Sequence, residues 1–345
     1  MKRFDKTLMF DVHSGLSQLA VADECGEVQL EMQVRTVPED LRQVVGGISG
    51  RKRVIMEQGP LSGMISDALE DLVEEIVVAD PTKNALIACA EDSSDERDAL
   101  RLGVLDRAKA IHGVFVPPEP YRTLRSLLCH DHVLANSVTA TKNRLKGLLR
   151  RHAIPCRGTG VYQKSTRREL RSKLPNPQLR WQLDSLGRQL DGLRKERVGA
   201  RRAVRRICAK LPQVRTVRSI PGFGAIASAT FVAWIVRPDR FRSLNKISSY
   251  CGLGLGQGFT NWKPIGRSRA SKRGNREVKR VLFIAARSAV NGSNAFSRRY
   301  EARLERGWPM DAARRDIARK LAFVAAALMR TGRKYDDRLV KVPAG

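Results

Sequence analysis

The segment KTLMFDV, residues 6–12, decides how the N-terminal part of this chain folds. Its short apolar run predicts a buried strand. Asp11 stands near the end of that run, so the strand brings a carboxylate to the rim of a sheet. We expect the rest of the N-terminal fold to be arranged around this strand.

Further elements follow in an order that indicates a mixed sheet. The turn signals HSG and DECGE separate the first three strands, and Pro38 opens a helix with acids in its first turn. Three strands, a helix, a strand, a helix and a strand indicate a ribonuclease-H-like (RuvC-like) α/β fold. The predicted strands are 6–12, 17–23, 27–36, 53–56 and 75–79, and the predicted helices are 37–45 and 61–72.

The remainder of the chain is predicted to be all-α. A long helix is expected over 121–152, a linker over 153–165, and mostly helix over 167–211 with an interruption at PNP, residues 175–177. Leucines at mixed spacings of three and four favour a coiled coil, and a dimer contact and an antiparallel pair within one chain are both open. Helices at 279–289 and 311–329 close the chain.

We therefore predict three domains. Residues 1–118 form a RuvC-like catalytic domain, which ends at the PPEPY stretch. Residues 119–211 form a helical coiled-coil or linker region. Residues 212–345 form a helical C-terminal domain with a helix-hairpin-helix-like element and a nucleophile loop.

Charge is divided unevenly along the chain. The 345 residues include 64 Lys/Arg and 35 Asp/Glu, a net charge of +29. Residues 1–118 hold 13 basic and 21 acidic residues, a net of −8, so residues 119–345 carry a net of +37. This division indicates a metal-binding catalytic half joined to a half that binds a polyanion.

Several classes of protein are disfavoured by the sequence. It has no run of about 18 apolar residues, as a membrane helix would need, and no secretory signal pattern. We therefore expect a cytoplasmic protein with no membrane partner. The six cysteines include no C-x-x-C pair and the five histidines form no zinc pattern, which argues against a zinc ribbon and a disulfide framework.

Four acids fall in an order that suits a two-metal nuclease. Asp11 and Glu57 follow two strands, while Asp95 and Asp98 are three residues apart and share one face of a helix. Two cations about 3.5–4 Å apart need converging carboxylates, and Mg²⁺ prefers oxygen ligands. We predict that these four residues bind Mg²⁺ (or Mn²⁺), although each acid alone is more often a turn residue or a solvated helix start.

Two glycine-rich segments are candidates for nucleic-acid binding. In IPGFG, Gly222 and Gly224 would let backbone N–H groups approach a phosphate, although a helix-capping turn has the same pattern. Residues 250–276, YCGLGLGQGFTNWKPIGRSRASKRGNR, combine glycines and basic residues with Phe259 and Trp262. The basic candidates there are Lys263, Arg267, Arg269, Lys272, Arg273 and Arg276.

The same segment contains hydroxyl groups that are candidate nucleophiles. These are Thr260, Ser268 and Ser271. Hydroxyls in such segments more often cap helices or bind phosphate, and both interpretations remain open.

These motifs together resemble the insertion-sequence one-ten family of transposases, which includes the Piv-type DNA invertases. The resemblance runs from Asp11 to about Tyr335. It rests on FDVH, MEQGP, Asp80-Pro81 ahead of DERDA, IPGFG, YCGL and SKRGNR. It implies that the four acids form a RuvC-like DEDD metal site and that a C-terminal serine links covalently to DNA. It also implies an oligomer, a dimer or tetramer, that recombines DNA at specific sites under the guidance of a bridge RNA.

The chain departs from the family pattern at the nucleophile. The family's serine usually stands about a dozen residues before the K-R-G triplet, where this chain has Thr260. Threonine keeps the hydroxyl but is β-branched and more hindered. Ser268 or Ser271 would substitute if the loop is shifted, and an impaired copy is the other explanation. Ser93 also stands where the family often has a lysine.

Three functions are compatible with the sequence. The first is a transposase or site-specific recombinase that cuts and rejoins DNA by metal-dependent phosphoryl transfer, with a hydroxyl of the C-terminal domain as nucleophile. The second is a RuvC-like junction endonuclease that uses water. The third is a non-catalytic nucleic-acid-binding relic of a transposase, which would have no use for the four acids.

Overall fold

The chain divides into two units, Met1–Pro118 and Glu119–Gly345. The first unit contains a five-stranded sheet. The computed structural model describes residues 4–84, 102–260, 263–270 and 273–340, without the side chains at 82, 84 and 255–270. The first unit contains β1 (Lys6–Asp11), β2 (Leu16–Asp23), β3 (Val28–Arg35), α1 (Pro38–Gly47), β4 (Lys52–Glu57), α2 (Ser62–Leu69), β5 (Glu75–Ala79), α3 (Pro81–Asn84) and α4 (102–107).

The sheet is mixed, as the sequence predicts. Its order is β3-β2-β1-β4-β5. The first three strands pair antiparallel, while β4 runs parallel to both β1 and β5. The predicted succession of strands and helices is confirmed to within a few residues at each boundary. The ribonuclease-H-like assignment stays a prediction.

Both faces of the sheet are covered. The face that includes Phe10 and Met56 packs against α1 and α2. The opposite face, which includes Met9 and Ile55, packs against Leu102 of α4. Because side chains alternate along a strand, neighbouring residues of β1 and β4 enter different cores. Burial on both faces explains why β1 and β4 appear in the sequence as continuous apolar runs.

The second unit is mainly helical, which confirms the predicted all-α character of the later part of the chain. Its one described sheet is a two-stranded hairpin. The elements are α5 (Tyr121–Arg151), α6 (Lys164–Ser172), α7 (Pro177–Ala209), α8 (Pro212–Arg218), α9 (Ala225–Ile235), α10 (Leu244–Tyr250), β6 (Leu255–Thr260), β7 (Lys263–Ala270), α11 (Arg276–Ala289), α12 (Ala295–Glu305) and α13 (Met310–Thr331).

Helix α9 lies at the centre of the second unit. Every residue from Ala227 to Ile235 is buried, and α9 contacts α5, α8 and α11. A helix that is apolar on all sides must be surrounded by other elements. The basic residues of this unit are therefore placed on the helices that enclose α9.

Helices α5 and α7 pair within one chain, which was one of the two arrangements left open by the sequence. Leucines of both helices form a common core. A carboxylate interrupts this leucine contact: Asp131 of α5 is 3% exposed and accepts hydrogen bonds from Arg197 Nε at 3.1 Å and Arg201 Nε at 2.9 Å. A dimer contact through these helices stays a prediction.

The predicted linker at 153–165 is wrong in one respect, because this segment packs into the core of the helix pair. Ile154, Val161 and Tyr162 are buried among the leucines of α5 and α7. Its one proline, Pro155, and its two glycines disfavour a long helix, but its apolar side chains still bury area, which favours a fixed position over a flexible one. Within the described residues, no helix is long and apolar enough to cross a membrane.

Replacing Asp131 by alanine is expected to lower the free energy of unfolding by roughly 2 kcal/mol, because two guanidinium groups lose a buried, charged acceptor. Asp184→Ala is the matched control: it breaks the Arg171–Asp184 pair, whose side chains are 48% and 40% exposed. We expect that control to cost about 0.5 kcal/mol. Chemical denaturation of both variants measures the difference, and equal losses would contradict the prediction.

Candidate functional site

The first two predicted acids stand side by side at one edge of the N-terminal sheet. Strands β1 and β4 are parallel, and their last registered pair is Phe10 with Met56. Asp11 and Glu57 are the next residues on each strand. Residues at the same level of adjacent strands project from the same face. The structure therefore brings these two predicted residues together, in the way a shared site requires.

Asp11 has a partner that the sequence analysis did not identify. Its Oδ2 lies 3.0 Å from Nε2 of His13, and its side chain is 20% exposed. Asp11 and His13 are two residues apart in FDVH, and this spacing alone did not predict a contact between their side chains. Glu57 is exposed to solvent. Both side chains therefore keep part of their surface exposed at this edge.

A third acid stands at the same edge. Asp80 directly follows β5, and its backbone N–H donates to the carbonyl oxygen of His112 at 2.9 Å. Its carboxylate is 24% exposed and lies 3.9 Å from Nζ of Lys83. The sequence identified Asp80 only as part of the Asp80-Pro81 motif and not as a candidate ligand, although it follows a strand just as Asp11 does. Three successive parallel strands thus end close to an acid.

Asp95 and Asp98 lie outside the described residues, so their convergence with Asp11 and Glu57 stays a prediction. The chain returns to the described part at α4, which packs on the face that carries Met9 and Ile55. By alternation along the strands, this is also the face of Asp11 and Glu57. Among described residues, no group of three or more His, Cys, Asp or Glu is placed to hold a metal ion.

The donor chemistry of this edge nevertheless suits a hard cation. The residues at the two strand ends offer carboxylate oxygens, and Mg²⁺ is bound in proteins through one or two carboxylates together with substrate phosphates and water. A large cavity of about 860 Å³ elsewhere in this unit is lined by Phe4, Arg53 and Asp106 and does not include Asp11 or Glu57. The open strand edge is therefore the candidate metal site.

The predicted nucleophile loop is wrong in its secondary structure, because most of it forms a β-hairpin. Strands β6 and β7 pair antiparallel, and Thr260 pairs with Lys263 across the turn. Thr260 therefore stands at the tip. Ser268 lies on β7 near the base, while Ser271 and Lys272 are outside the described residues. Glycines hid the strands, because glycine is depleted in regular sheet.

Two glycines cross at the base of this hairpin. Gly274 has a φ of +103°, and a Cβ built on it would stand 2.5 Å from the backbone N and Cα of Gly252. The N–H of Asn275 donates to the carbonyl oxygen of Tyr250 at 2.7 Å. The YCGL and KRGN motifs thus meet each other and join the two ends of the hairpin. Only glycine permits this approach without displacement.

Gly274→Ala is expected to loosen the hairpin, because the added methyl group overlaps the backbone of Gly252. Amide hydrogen exchange in β6 and β7 should become at least about tenfold faster, while exchange in α9 stays slow. Gly254→Ala is the matched control, since no atom of the described residues would lie closer than 3.9 Å to its Cβ. Unchanged exchange in Gly274→Ala would contradict the role of the crossing.

The helix that follows the hairpin is tied to α5 by a charged group. Glu277, in the first turn of α11, accepts from His132 Nδ1 at 2.7 Å and from Arg280 Nη2 at 2.7 Å. Burial acts to raise the pKa of Glu277, but the hydrogen bonds from Arg280 and His132 outweigh it, so its pKa lies below the ordinary value. The carboxylate form therefore stabilises the folded state.

This pair predicts how stability depends on pH. Because folding lowers the pKa of Glu277, its contribution is present above the ordinary value of 4.5 and is lost as pH falls through the lower folded value. The Tm difference between wild type and Glu277→Gln should be widest above about pH 5 and close as the solution becomes more acidic. Thermal scans across this range measure it. A constant difference would contradict the assignment.

The Ile220–Gly224 hairpin gives its two glycines different roles. Gly222 has a φ of +87°, and any Cβ there would collide with the carbonyl oxygen of Ala285 on α11. Gly224 is exposed, has open space around it, and precedes α9, whose N-terminus has no side-chain cap. Gly222 is thus explained by packing, whereas Gly224 leaves backbone donors accessible to an anion.

The predicted basic contacts are only partly described. Arg273 and Arg276 are exposed at the start of α11. The other candidates on this segment are Lys263, Arg267 and Arg269. Their backbone lies on β7, and their side chains are outside the described part of the structure. Phosphate binding by any of them stays a prediction.

Comparison with known proteins gives two findings. Residues 214–301, which run from α8 into α12 and include the hairpin β6–β7, match the family described as "Transposase IS116/IS110/IS902 family". A protein of Streptomyces coelicolor, "Insertion element IS110 uncharacterized 43.6 kDa protein", is 26% identical over 161 residues. This alignment covers 47% of the present chain and 39% of the relative.

Proposed function

We propose that this chain, whose resemblance to the IS116/IS110/IS902 transposases is confirmed, is the transposase of an insertion element and cuts and rejoins DNA strands. The match at 214–301 carries the proposal, because this region includes both the IPGFG hairpin and the segment with the candidate hydroxyls. The strand order β3-β2-β1-β4-β5 supports a ribonuclease-H-like catalytic domain at residues 1–118.

The acids of the first unit are proposed to hold divalent metal. Asp11, Glu57, Asp95 and Asp98 would bind Mg²⁺ or Mn²⁺, which when bound supplies Lewis-acid polarisation of a phosphate. The neighbouring ends of β1 and β4 support this assignment for the first two acids. His13 positions one oxygen of Asp11 and so limits the rotation of that carboxylate.

The second unit is proposed to supply the nucleophile. The hydroxyl oxygen of Thr260 forms a bond to a DNA phosphorus and releases its proton, while a sugar oxygen leaves and takes up a proton. One phosphate ester replaces another, so that a sugar hydroxyl of a second strand can reverse the step and join the strands. Ser268 and Ser271 are the alternative nucleophiles.

The partners are proposed on two grounds. The net charge of +37 over residues 119–345 supports binding of a polyanion. The resemblance implies that this includes the DNA of the element ends and target together with a bridge RNA, and that the chain assembles as a dimer or tetramer. DNA bound with phosphates at Gly224 would use the uncapped N-terminus of α9.

A RuvC-like junction endonuclease is the second candidate function. Threonine stands where the resembling family usually has its serine, and a β-branched hydroxyl attacks less readily. An enzyme of this type would use water in place of Thr260, and it would leave no protein bound to the DNA. The non-catalytic relic is the third candidate, and it predicts binding without metal-dependent cleavage.

Glu57→Gln is expected to reduce cleavage of element-end DNA by more than about 100-fold, because a neutral amide is a weaker ligand than a carboxylate and does not balance the charge of the metal. Glu31→Gln is the matched control, as Glu31 is exposed on the edge strand β3 of the same sheet. A gel-based cleavage assay in Mg²⁺ compares the two variants. Wild-type activity in Glu57→Gln would remove the proposed metal site.

Denaturing gels separate the two enzymatic candidates. The transposase predicts a covalent protein–DNA adduct that is absent in Thr260→Ala and present in Thr260→Ser. Metal-dependent cleavage without any adduct would favour the endonuclease. An adduct that persists in Thr260→Ala would transfer the role to Ser268 or Ser271.

A further inference from the structure

A groove of about 870 Å³ lies on the second unit, between the end of α7, α8 and the start of α9. Its floor is apolar and includes Val204, Val214 and Ile226. Cys208 also lines it, and burial raises the pKa of this thiol to about 11. An apolar floor of this kind favours contact with an apolar part of a ligand over contact with a hydrated charged group. The volume falls in the range of roughly 300–1,000 Å³ that small ligands occupy.

The rim of the groove is cationic. Arg205, Arg215, Arg218 and Lys334 line it, and none of its lining residues is acidic. Within the described part of the chain, no carboxylate lies within ion-pair distance of Arg215, Arg218 or Lys334. Clustered cations repel each other unless a polyanion neutralises them. The rim therefore favours a ligand with more than one negative charge.

Few ligands combine an apolar body with several flanking anions. In a duplex the bases are stacked on one another, so that the backbone alone would meet this surface and the floor would remain empty. An unstacked base presents its flat apolar face while the phosphates on either side remain charged. The IPGFG segment, Ile220–Gly224, connects α8 to α9, and both of these helices line the groove. The segment proposed to contact phosphates is therefore next to the groove.

We propose that this groove binds one unpaired nucleotide of a nucleic-acid strand, with the base on the apolar floor and the flanking phosphates on the cationic rim. The inference rests on the proposed function in that it requires a nucleic-acid partner, and it adds that this partner is locally unpaired where it meets α7, α8 and α9. Because the floor is aliphatic, base contact here tolerates any sequence.

The direct test uses matched DNA probes and fluorescence anisotropy with the full chain. One duplex carries a single-nucleotide bulge, and the second carries an abasic bulge with the same phosphates. We expect the abasic probe to bind about tenfold more weakly, since it loses the base contact alone. Equal affinity for the nucleotide bulge and the abasic bulge would overturn the inference, because it would show that the surface contacts phosphates only. Single-stranded DNA and RNA of one sequence distinguish the two sources of the nucleotide.

A pair of double variants locates the binding. Arg205→Ala with Arg215→Ala removes two rim cations. The control is Arg202→Ala with Arg206→Ala, which removes two exposed cations of α7 that do not line the groove. The rim variant should weaken bulge binding at least about tenfold and lower the salt dependence by roughly two phosphate contacts. Equal effects of both pairs would overturn the assignment to this groove.

A floor variant separates packing from charge. Ile226→Asn keeps every cation and places an amide on the floor, so it should reduce the preference for the nucleotide bulge over the abasic bulge while leaving the affinity for the abasic probe unchanged. Circular dichroism and Tm establish that the variant is folded. Val198→Asn, at an exposed apolar position of α7, is the control for a surface change of the same kind. A preference retained in Ile226→Asn would contradict the base contact.

The result remains separate from that of the cleavage assay. If wild type distinguishes the two bulges but does not cleave DNA, the inference holds and the proposed enzymatic function fails. If wild type cleaves DNA without distinguishing the bulges, the proposed function holds and the inference fails. Absence of binding to every probe would overturn the inference, and the cleavage assay on element-end DNA would still decide the proposed function.

Discussion

The parallel pairing of β1 with β4 is the constraint on which the candidate catalytic edge depends. Because both strands run in the same direction, their carboxyl ends meet, and the residues after Phe10 and Met56 become neighbours. Antiparallel pairing would have sent Asp11 and Glu57 to opposite edges. A shift of one residue would have turned one acid to the other face.

The second unit depends on a different constraint, the complete burial of α9. An apolar helix inside a shell of helices leaves only the outer surfaces for charge, and the sequence places its excess of basic residues there. The same arrangement explains Gly222, which lets the hairpin before α9 press against α11. Packing and the proposed anion binding thus involve different atoms of the same short segment.

The sequence predicted those features that depend on neighbours along the chain. β1, β4 and β5 are continuous apolar runs, and α5 and α7 carry regular leucines, so these elements were found to within a few residues. The hairpin β6–β7 was missed because glycines at 256 and 258 mask its pattern. The predicted linker at 153–165 does connect α5 to α6, but the sequence did not show that its sparse apolar residues pack against leucines that are distant in sequence.

Contacts between distant residues account for the rest. Nothing local in the sequence pairs His132 with Glu277, 145 residues away, or identifies Gly252 and Gly274 as two sides of one crossing. The groove draws its rim from α7, α8 and Lys334, which appear in the sequence as separate basic positions. Asp95 and Asp98 were assigned to the metal site from their spacing and from the family resemblance, and their place beside Asp11 remains a prediction.

The buried carboxylate of Asp131 has a mechanical consequence for the helix pair. Leucine contacts repeat along both helices, so leucines alone would permit slippage by a turn at little cost. The carboxylate of Asp131 accepts from Arg197 and Arg201 in only one register of the two helices, just as a buried polar group fixes the register of a coiled coil. Helix α7 has 33 residues, a length of about 50 Å at 1.5 Å per residue. The contact of Asp131 with Arg197 and Arg201 therefore fixes the axial position of α7 relative to α5.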